Sequence, residues 1–372
     1  MAPRIPLSAP DISEAEVAAV VAVLRTPHLS IGPELAGFEA ELAAYHGVNR
    51  AIAVSSGTAG LHIALLTLGV GKGDEVILPS FTFVAVVNAV VQVHATPVLV
   101  EMDPATLNLD PAAVERAISP QTRCILAVHT FGVPAQMDAL MTLAQRHRLP
   151  LIEDASEAIG ARFDGRVAGS FGDLAALGFY PNKQITTGEG GAVLAGNPKH
   201  ADRLLRLRNQ GRDASGDWLD HAELGYNYRL SELACALGRV QLRRIDEILA
   251  ARRKAAERYD TLLAGMHGLE RPPLSLPRRE LSWFVYVVRL PEGVDRERVQ
   301  AKLAQRGIAS GRYFAPIHLQ PAWRTCGGRV AGNLLLTESI AHRTLALPFF
   351  NRITAEQQQA VADALREAIA GI

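Results

Sequence analysis

The chain has 372 residues, which is too many for one compact core and suits two domains. Lys and Arg together number 38, as do Asp and Glu, so the composition gives no support for electrostatic binding of nucleic acid. The hydrophobic content of 48% is ordinary for a soluble globular protein. Partners are therefore expected among small molecules and other copies of the chain.

The sequence carries no signal for a membrane, for export or for a structural metal. The most apolar stretch, Phe81–Val93, contains polar residues and is too short to span a bilayer. The segment Met1–Pro6 contains no apolar signal region. The chain has three cysteines, Cys124, Cys235 and Cys326, and their spacing is not that of metal ligands. Their odd number argues against a disulfide framework. We expect a cytoplasmic protein that does not bind membranes.

Short apolar runs alternate with helical patterns through the first two thirds of the chain, which predicts an α/β fold with a mainly parallel central sheet. The predicted strands are Ala51–Ser55, Glu75–Pro79, Pro97–Glu101, Arg123–His129, Leu149–Asp154, Leu174–Phe179 and Ala192–Ala195. The predicted helices between them include Thr58–Leu68, Thr82–Val93, Pro111–Ile118 and Gln136–His147. Ligands of such sheets bind outside the carboxyl ends of the strands.

The last third predicts a smaller α+β domain. A long helical pattern runs from Ser231 to about Leu262, and a proline-rich segment that we interpret as a linker follows it. The remaining predicted elements are a strand over Ser282–Leu290, a helix over Asp295–Gly307 and a terminal helix over Thr354–Ile369, with Thr354 as its N-cap. We predict a large domain over residues 1–245 and a small C-terminal domain over residues 246–372.

Lys183 is the most informative residue. It lies between two predicted strands, in a turn that contains Pro181 and ends in the Gly-rich stretch Gly188–Gly191, so its chain has little freedom. The predicted strand 29 residues earlier ends in Asp154. A Schiff-base lysine and a buried aspartate for a pyridinium nitrogen are the protein's part in the chemistry of pyridoxal 5′-phosphate (PLP). Taken alone, Lys183 would be a solvated surface lysine, and Asp154 would be either the partner of the pyridinium or a cap for the segment Ala155–Gly160.

Other residues at strand ends supply the rest of a PLP site. Ser56-Gly57-Thr58 opens a helix, where backbone N–H groups and hydroxyls form an anion site, although the same residues are typical of an ordinary N-cap. Phe83 follows a strand end and is a candidate for stacking on the pyridine ring, or else a core residue. Glu157 faces either the ring hydroxyl, the substrate or solvent. Asn227, in a polar aromatic turn, has no local feature that indicates binding.

Taken together with their flanking motifs, these residues resemble the sugar-nucleotide aminotransferases called DegT/DnrJ/StrS, among the fold-type I PLP enzymes, and the resemblance covers nearly the whole chain. The Lys183 segment and Gly225–Arg229 are the most specific matches. Further matches are Ser30–Glu34, Phe38-Glu39, Ser56–Thr58, Gly73–Ile77, Pro79–Ala85, Glu153–Ala155, Thr187–Gly191, Arg208–Gly211, Pro316–His318 and Leu345–Pro348.

The resemblance implies an aspartate-aminotransferase-like fold and a role for each matched residue. Lys183 is expected to bond to the cofactor, Asp154 to pair with its ring nitrogen, and Phe83 to lie against the ring. Gly57 and Thr58 are expected to hold its phosphate. Asn227 would reach the phosphate bound by the other subunit, so the working unit would be a homodimer with shared active sites. Glu157 occupies a position where relatives carry Gln, His or Glu near the ring, and Glu there resembles relatives that aminate C4 of a keto sugar.

Two departures from the family pattern affect phosphate binding. The family usually has a phosphate-binding Ser at the position of Gly178, so one hydroxyl donor is missing, and Ser170 or a backbone amide is the candidate replacement. Tyr180-Pro181-Asn182 also differs from the commoner His-Pro-Thr form. Some members carry His in place of the lysine and dehydrate their substrate, and Lys183 argues against that reaction here.

The predicted function is transfer of an amino group from L-glutamate to a nucleotide-linked keto sugar, of the 4-keto-6-deoxy type, in amino-sugar and polysaccharide biosynthesis. Candidate substrate contacts are Arg229, Tyr313 and His318, with turn-bracing and structural alternatives for Arg229 and His318. The alternatives are a dehydratase, an amino-cyclitol or aromatic-amine synthase, and a regulatory protein without turnover. A nicotinamide dehydrogenase is disfavoured because no Gly-x-Gly-x-x-Gly follows a strand.

Overall fold

A computed structural model describes residues 5–213 and 219–370. Met1–Arg4, which begin the N-terminal segment expected to lack a signal region, lie outside the described residues. The helices are α1 Glu14–Leu24, α2 Pro33–His46, α3 Gly57–Thr67, α4 Ala85–Gln92, α5 Pro111–Ala117, α6 Met137–His147, α7 Pro198–Arg208, α8 Glu232–Arg243, α9 Ile245–Leu262, α10 Arg296–Gln305, α11 Leu335–Arg343 and α12 Ala355–Ala370. The strands are β1 Arg50–Val54, β2 Glu75–Pro79, β3 Thr96–Val100, β4 Thr122–Val128, β5 Leu151–Asp154, β6 Arg162–Phe163, β7 Arg166–Val167, β8 Leu174–Gly178, β9 Gly191–Ala195, β10 Arg279–Glu280, β11 Tyr286–Arg289, β12 Arg329–Val330 and β13 Thr344–Leu347.

The centre of the molecule is an eight-stranded sheet in the order β1-β9-β8-β5-β4-β2-β3-β12. From β8 to β12 neighbouring strands are parallel, whereas β9 is antiparallel to both β1 and β8. The predicted mainly parallel sheet is therefore confirmed. Its strands are almost wholly buried. This agrees with their unbroken apolar runs, which are typical of a sheet covered on both faces.

Helices cover the two faces of this sheet with separate apolar cores. On one face, α3, α4 and α7 pack their buried Leu, Val and Ala side chains against the sheet. On the other face, α2 and α8 cover one half of the sheet and α5 and α6 the other half. The sheet is thereby held rigidly, and the residues at its edges are placed precisely.

The site is positioned by the carboxyl ends of the parallel strands. β2, β4, β5 and β8 end along the same edge of the sheet, and β1 ends there as well, because its last residue Val54 lies opposite Gly191 in the β1–β9 pairing. β9 begins at this edge, opposite Gly178 of β8. Polar residues that follow these strands are thereby brought together although they are far apart in the sequence.

The C-terminal third forms a further core around the antiparallel pair β11–β13, with α9, α10 and α12 packed against it. Ile5 joins this core and pairs with Ile308, so the N-terminal segment returns to this part of the molecule. The domain boundary between residues 245 and 246 stays a prediction.

Apart from shifts of a few residues at the ends of elements, two predicted elements differ from the structure. The single helix over Ser231–Leu262 is wrong, because Arg244, with φ −96° and ψ 9°, separates α8 from α9. The strand over Ser282–Leu290 is shorter than predicted, since its regular pairing begins only at Tyr286. Its first part instead donates backbone N–H groups from Ser282 and Phe284 to the loop after β4, and Trp283 has a φ of +53°.

In the described part of the chain, each helix is either too short or too polar to cross a bilayer.

Candidate active site

A cavity of about 500 Å³ opens at the carboxyl edge of the sheet. The residues that line it come from the ends of β1, β2, β4, β5 and β8, from the loop between β8 and β9, and from the segments before β11 and after α10. Seven of the predicted site residues lie on its wall: Gly57, Thr58, Phe83, Asp154, Glu157, Lys183 and Tyr313. The structure therefore brings most of the residues that the sequence predicted for the site onto the wall of one cavity.

Lys183 is held by the tight loop between β8 and β9. Its own backbone N–H donates to the carbonyl of Tyr180 at 2.9 Å, and the N–H of Thr187 donates to the carbonyl of Phe179 at 3.0 Å. The Lys183 Nζ lies 3.5 Å from Glu157 Oε1 and 4.1 Å from the centre of the Phe284 ring. The amine is thus largely shielded from water but faces the cavity, with one carboxylate beside it.

Asp154 ends β5 and is buried, with 8% of its surface exposed. One carboxylate oxygen accepts the backbone N–H of Ser156 at 3.0 Å. A buried carboxylate needs a positive or hydrogen-bonding partner. The side chain therefore both stabilises the turn after β5, as the capping alternative required, and presents an acceptor on the cavity wall.

Glu157 is buried beneath Lys183 and accepts the backbone N–H of Phe131 at 3.0 Å. Burial raises the pKa of Glu157; the charge of Lys183 and the Phe131 amide oppose that rise, and Asp154 adds to it. The side chain is not the solvated helix residue that the sequence left open. It is an acid in contact with Lys183, whose protonation is sensitive to any change in the charge of that amine.

The start of α3 forms the other end of the cavity. Ser56 is the N-cap, and its hydroxyl accepts the N–H of Ala59 at 3.1 Å, which leaves the first N–H groups of the helix directed at the cavity. A Cβ atom on residue 57 would lie 3.1 Å from Ser156 Oγ and 3.3 Å from the Gly178 Cα, so any side chain here would crowd this end of the cavity. Gly57 therefore keeps an anion cradle open.

Aromatic side chains form the mouth and one wall of the cavity. Phe83 is 60% exposed and lies on the loop before α4, which begins three residues later than the sequence pattern predicted. Phe284, Tyr313 and Phe314 also line the cavity. Burial raises the pKa of Tyr313, while a hydrogen bond with Asn182 lowers it in part. The sequence analysis did not identify Phe284 or Asn182 as site residues. Asn182 could have been identified from its position next to Lys183, whereas no signal in the sequence indicated Phe284.

Asn227 and Arg229 lie outside this cavity. The segment 225–229 is fixed beside β1: Arg229 pairs with Val54, and Asn227 pairs with Asn209. The Arg229 guanidinium donates to Asn209 Oδ1 at 2.9 Å, which is the turn-bracing alternative. Asn227 is exposed, so its side chain is available to a second subunit, and its predicted role there stays a prediction.

His318 also lies away from the cavity wall. Its Nδ1 is 2.7 Å from the Ser80 hydroxyl, and its Nε2 is 3.1 Å from Glu338 Oε1. Both ring nitrogens are therefore used: one contact ties the segment after Pro316 to the end of β2, and the other ties it to α11. This geometry favours the structural alternative for His318 over the predicted sugar contact.

Comparison with known proteins agrees with this geometry. Residues 10–366 match the model of the DegT/DnrJ/EryC1/StrS aminotransferase family. The chain is 42% identical over 354 residues to a dTDP-3-amino-3,4,6-trideoxy-alpha-D-glucose transaminase of Streptomyces venezuelae, covering 94% of this chain and 91% of the relative. It is 41% identical over 325 residues to a GDP-perosamine synthase of Caulobacter vibrioides, covering 86% and 87%. The S. venezuelae DesV crystal structure, in complex with a ketimine intermediate, superposes with a TM-score of 0.89 at 40% identity, covering 98% of both chains.

The chain belongs to this family. Membership confirms the predicted aminotransferase activity, the aspartate-aminotransferase-like fold and the PLP cofactor. The individual roles of the site residues stay predictions.

The cavity fits PLP in shape and in chemistry. The cradle at Gly57 suits a phosphate, Asp154 suits a protonated ring nitrogen, and the Lys183 amine lies on the same wall. Among the described residues, no cluster of three or more His, Cys, Asp or Glu side chains has the geometry to hold a metal ion.

Proposed function

We propose that this family member transfers an amino group from L-glutamate to a nucleotide-linked keto sugar, of the 4-keto-6-deoxy type. The observation that carries the proposal is the placement of Lys183, Asp154 and Glu157 on the wall of one cavity at the carboxyl edge of the sheet. Relatives at 41–42% identity that are named for activated amino sugars support the substrate class.

When bound, PLP supplies an electron-accepting ring that stabilises negative charge on the carbon next to the amino group. The residues of the chain do the rest. Asp154 holds a proton on the ring nitrogen by presenting a buried carboxylate to it. The N–H groups at the start of α3, with the Thr58 hydroxyl, bind the phosphate and fix the position of the ring.

Lys183 Nζ moves the protons. Its amine takes the proton from the α-carbon of the amino donor, and in the second half of the reaction it returns a proton to the carbon of the sugar that carried the keto group. The loop between β8 and β9 holds this atom in place, and Phe284 and Phe314 exclude water from it. Glu157 supports the amine at 3.5 Å and keeps it directed toward the cavity.

The cavity is open at Phe83 and Tyr180, which are 60% and 53% exposed. We assign this mouth to the substrate, with Tyr313 beside the sugar. Asn227 completes the site from a second subunit by binding the phosphate, so the active unit is a homodimer. Arg229 braces the turn that carries Asn227. The cytoplasmic location expected from the sequence is part of this proposal.

Incubation of the purified protein with L-glutamate and a panel of nucleotide-linked keto sugars tests the proposal. We expect equimolar formation of 2-oxoglutarate and an amino sugar nucleotide, measured by mass spectrometry. Product without 2-oxoglutarate would instead indicate dehydration. Amination of a cyclitol or of an aromatic precursor alone would move the protein to the other synthase classes. Absence of any spectral change with glutamate would indicate a protein without turnover.

A further inference from the structure

Ser156 carries a hydroxyl to the end of the cavity where residue 178 is a glycine. A Cβ atom on Gly178 would lie 3.1 Å from Ser156 Cβ and 3.3 Å from its Oγ. A Cβ on Gly57 would lie 3.1 Å from the same Oγ. The Ser156 hydroxyl therefore lies between the start of α3 and the end of β8, on the cavity wall beside the anion cradle.

We propose that Ser156 supplies the phosphate-binding hydroxyl that Gly178 cannot provide. The backbone N–H of Ser156 donates to Asp154 Oδ1 at 3.0 Å, which fixes the residue relative to β5. Its hydroxyl makes no hydrogen bond to another described residue, so the hydroxyl has both its donor and its acceptor capacity for a ligand. One turn thus carries both the carboxylate for the ring nitrogen and a hydroxyl for the phosphate.

Ser170, the replacement that the sequence suggested, does not have this geometry. Its hydroxyl donates to the carbonyl of Val167 at 2.7 Å and accepts from Arg166 Nε at 3.1 Å. It is not among the residues that line the cavity. Backbone amides at the start of α3 contribute to the cradle, but they do not fill the space between Gly57 and Gly178.

The proposal also explains why residue 178 is small. A serine there would place its Cβ 3.1 Å from Ser156 Cβ, which is closer than ordinary van der Waals contact. The two positions compete for the same space, so one hydroxyl fits and a second one crowds it. A serine at 178 is therefore expected to be tolerated best when Ser156 is replaced by glycine, which removes the crowding Cβ.

Binding of the cofactor to the apoprotein tests the proposal without any sugar substrate. For Ser156→Ala, titration followed by absorbance and tryptophan fluorescence should show a dissociation constant for PLP about 10-fold higher than for the wild-type chain, because a hydrogen bond to a charged phosphate is lost. Affinity for pyridoxal, which lacks the phosphate, should change by less than about twofold. Ser170→Ala is the matched control and should bind both compounds as the wild type does.

The double variant Ser156→Gly/Gly178→Ser should recover most of the lost affinity for PLP, since it removes the Cβ at 156 that a serine at 178 would meet and returns a hydroxyl to the same space. The proposal is overturned if Ser156→Ala binds PLP as tightly as the wild type. It is equally overturned if PLP and pyridoxal weaken by the same factor, which would indicate a general disturbance of the site. Because the readout is cofactor affinity, it is independent of the proposed sugar specificity.

Discussion

At the scale of single residues, the chemistry depends on a few buried polar groups whose surroundings fix their state. Asp154 is the clearest case, because its carboxylate is buried and makes one hydrogen bond within the described chain. A buried carboxylate with so few partners lowers the stability of the fold unless a ligand supplies the missing hydrogen bond or positive charge. In the proposed function, the ring nitrogen of PLP is that ligand.

Asp154→Ala is expected to slow the half-reaction with L-glutamate by a factor on the order of 10²–10³, since a preorganised charge that stabilises the transition state is lost. Stopped-flow absorbance measures this rate. A PLP analogue methylated on the ring nitrogen carries a permanent charge and should restore part of the rate. Asp363→Asn, in α12, where the side chain is 47% exposed, serves as control. Equal rates for Asp154→Ala and the wild type would contradict the assignment.

His46, in α2, makes the stability of the fold depend on pH. Burial lowers the pKa of His46 from 6.5 to about 4; its Nδ1 lies 3.0 Å from the Leu42 carbonyl, and its Nε2 has no partner among the described residues. Between pH 6.5 and pH 4, His46 is protonated in the unfolded chain but stays neutral in the folded chain. The free energy of unfolding therefore falls as the pH falls from 6.5 to 4.

Between pH 7 and pH 5 the wild type should lose about 2 kcal/mol more of its free energy of unfolding than His46→Leu does. Denaturant titrations of both proteins at the two pH values measure the difference. An identical pH response of the two proteins would show that His46 is not the group responsible.

At the scale of elements, long-range contacts complete what local sequence leaves unfinished. Helix α2 begins at Pro33 after Gly32, and Gly32 has no side chain to cap the helix. The cap comes from α8 instead, since the Glu232 carboxylate accepts the N–H groups of Gly32, Glu34 and Leu35 at 2.8–2.9 Å. One buried side chain thus joins the two helices that cover the β1 side of the sheet.

Glu232→Ala is expected to lower the free energy of unfolding by roughly 2 kcal/mol, because buried N–H groups lose their acceptor. Glu232→Gln, which keeps an acceptor oxygen, should lose less. Chemical denaturation compares the two variants with the wild type. If alanine and glutamine variants are equally stable, the carboxylate is not acting as the cap of α2.

The sequence predicted those elements whose local pattern and tertiary role agree. β1, β2 and β8 are apolar runs buried on both faces, and they lie close to their predicted positions. Helical periodicity could not reveal the break at Arg244, because residues on both sides continue to favour helix. After that break, α9 begins against the same core as α8, with Ile245 and Ile248, and reaches the C-terminal core with Ala255, Ala256 and Tyr259.

The site was predictable to the extent that each residue follows a strand end. Lys183 and Asp154 could be assigned because parallel strands bring their carboxyl ends to one edge. His318 could not, because its partner Ser80 is 238 residues away. Ser156 was missed for a similar reason: its proximity to Gly178 depends on the pairing of β5 with β8.

At the scale of the whole molecule, the proposed function requires two chains for each active site. Asn227 is exposed and lies outside the cavity of its own chain, next to the segment that follows β1. A residue so placed can serve the neighbouring site in a symmetric dimer. The phosphate would then be bound by groups from both subunits.

Mixing two inactive variants tests this arrangement. Lys183→Ala and Asn227→Asp, unfolded together and refolded, should regain about a quarter of the wild-type activity, because half of the symmetric dimers are mixed and each mixed dimer has one complete site. Each variant refolded alone is the control. Activity that stays at the level of the controls would contradict a site shared between subunits.

The most direct test of the central claim is reduction of the purified protein with borohydride in the presence of PLP, followed by peptide mapping. We predict that the cofactor is fixed to the peptide that contains Lys183, and that Lys183→Ala takes up no label and forms no amino sugar. Label on a different lysine, or amination by Lys183→Ala at the wild-type rate, would contradict the claim.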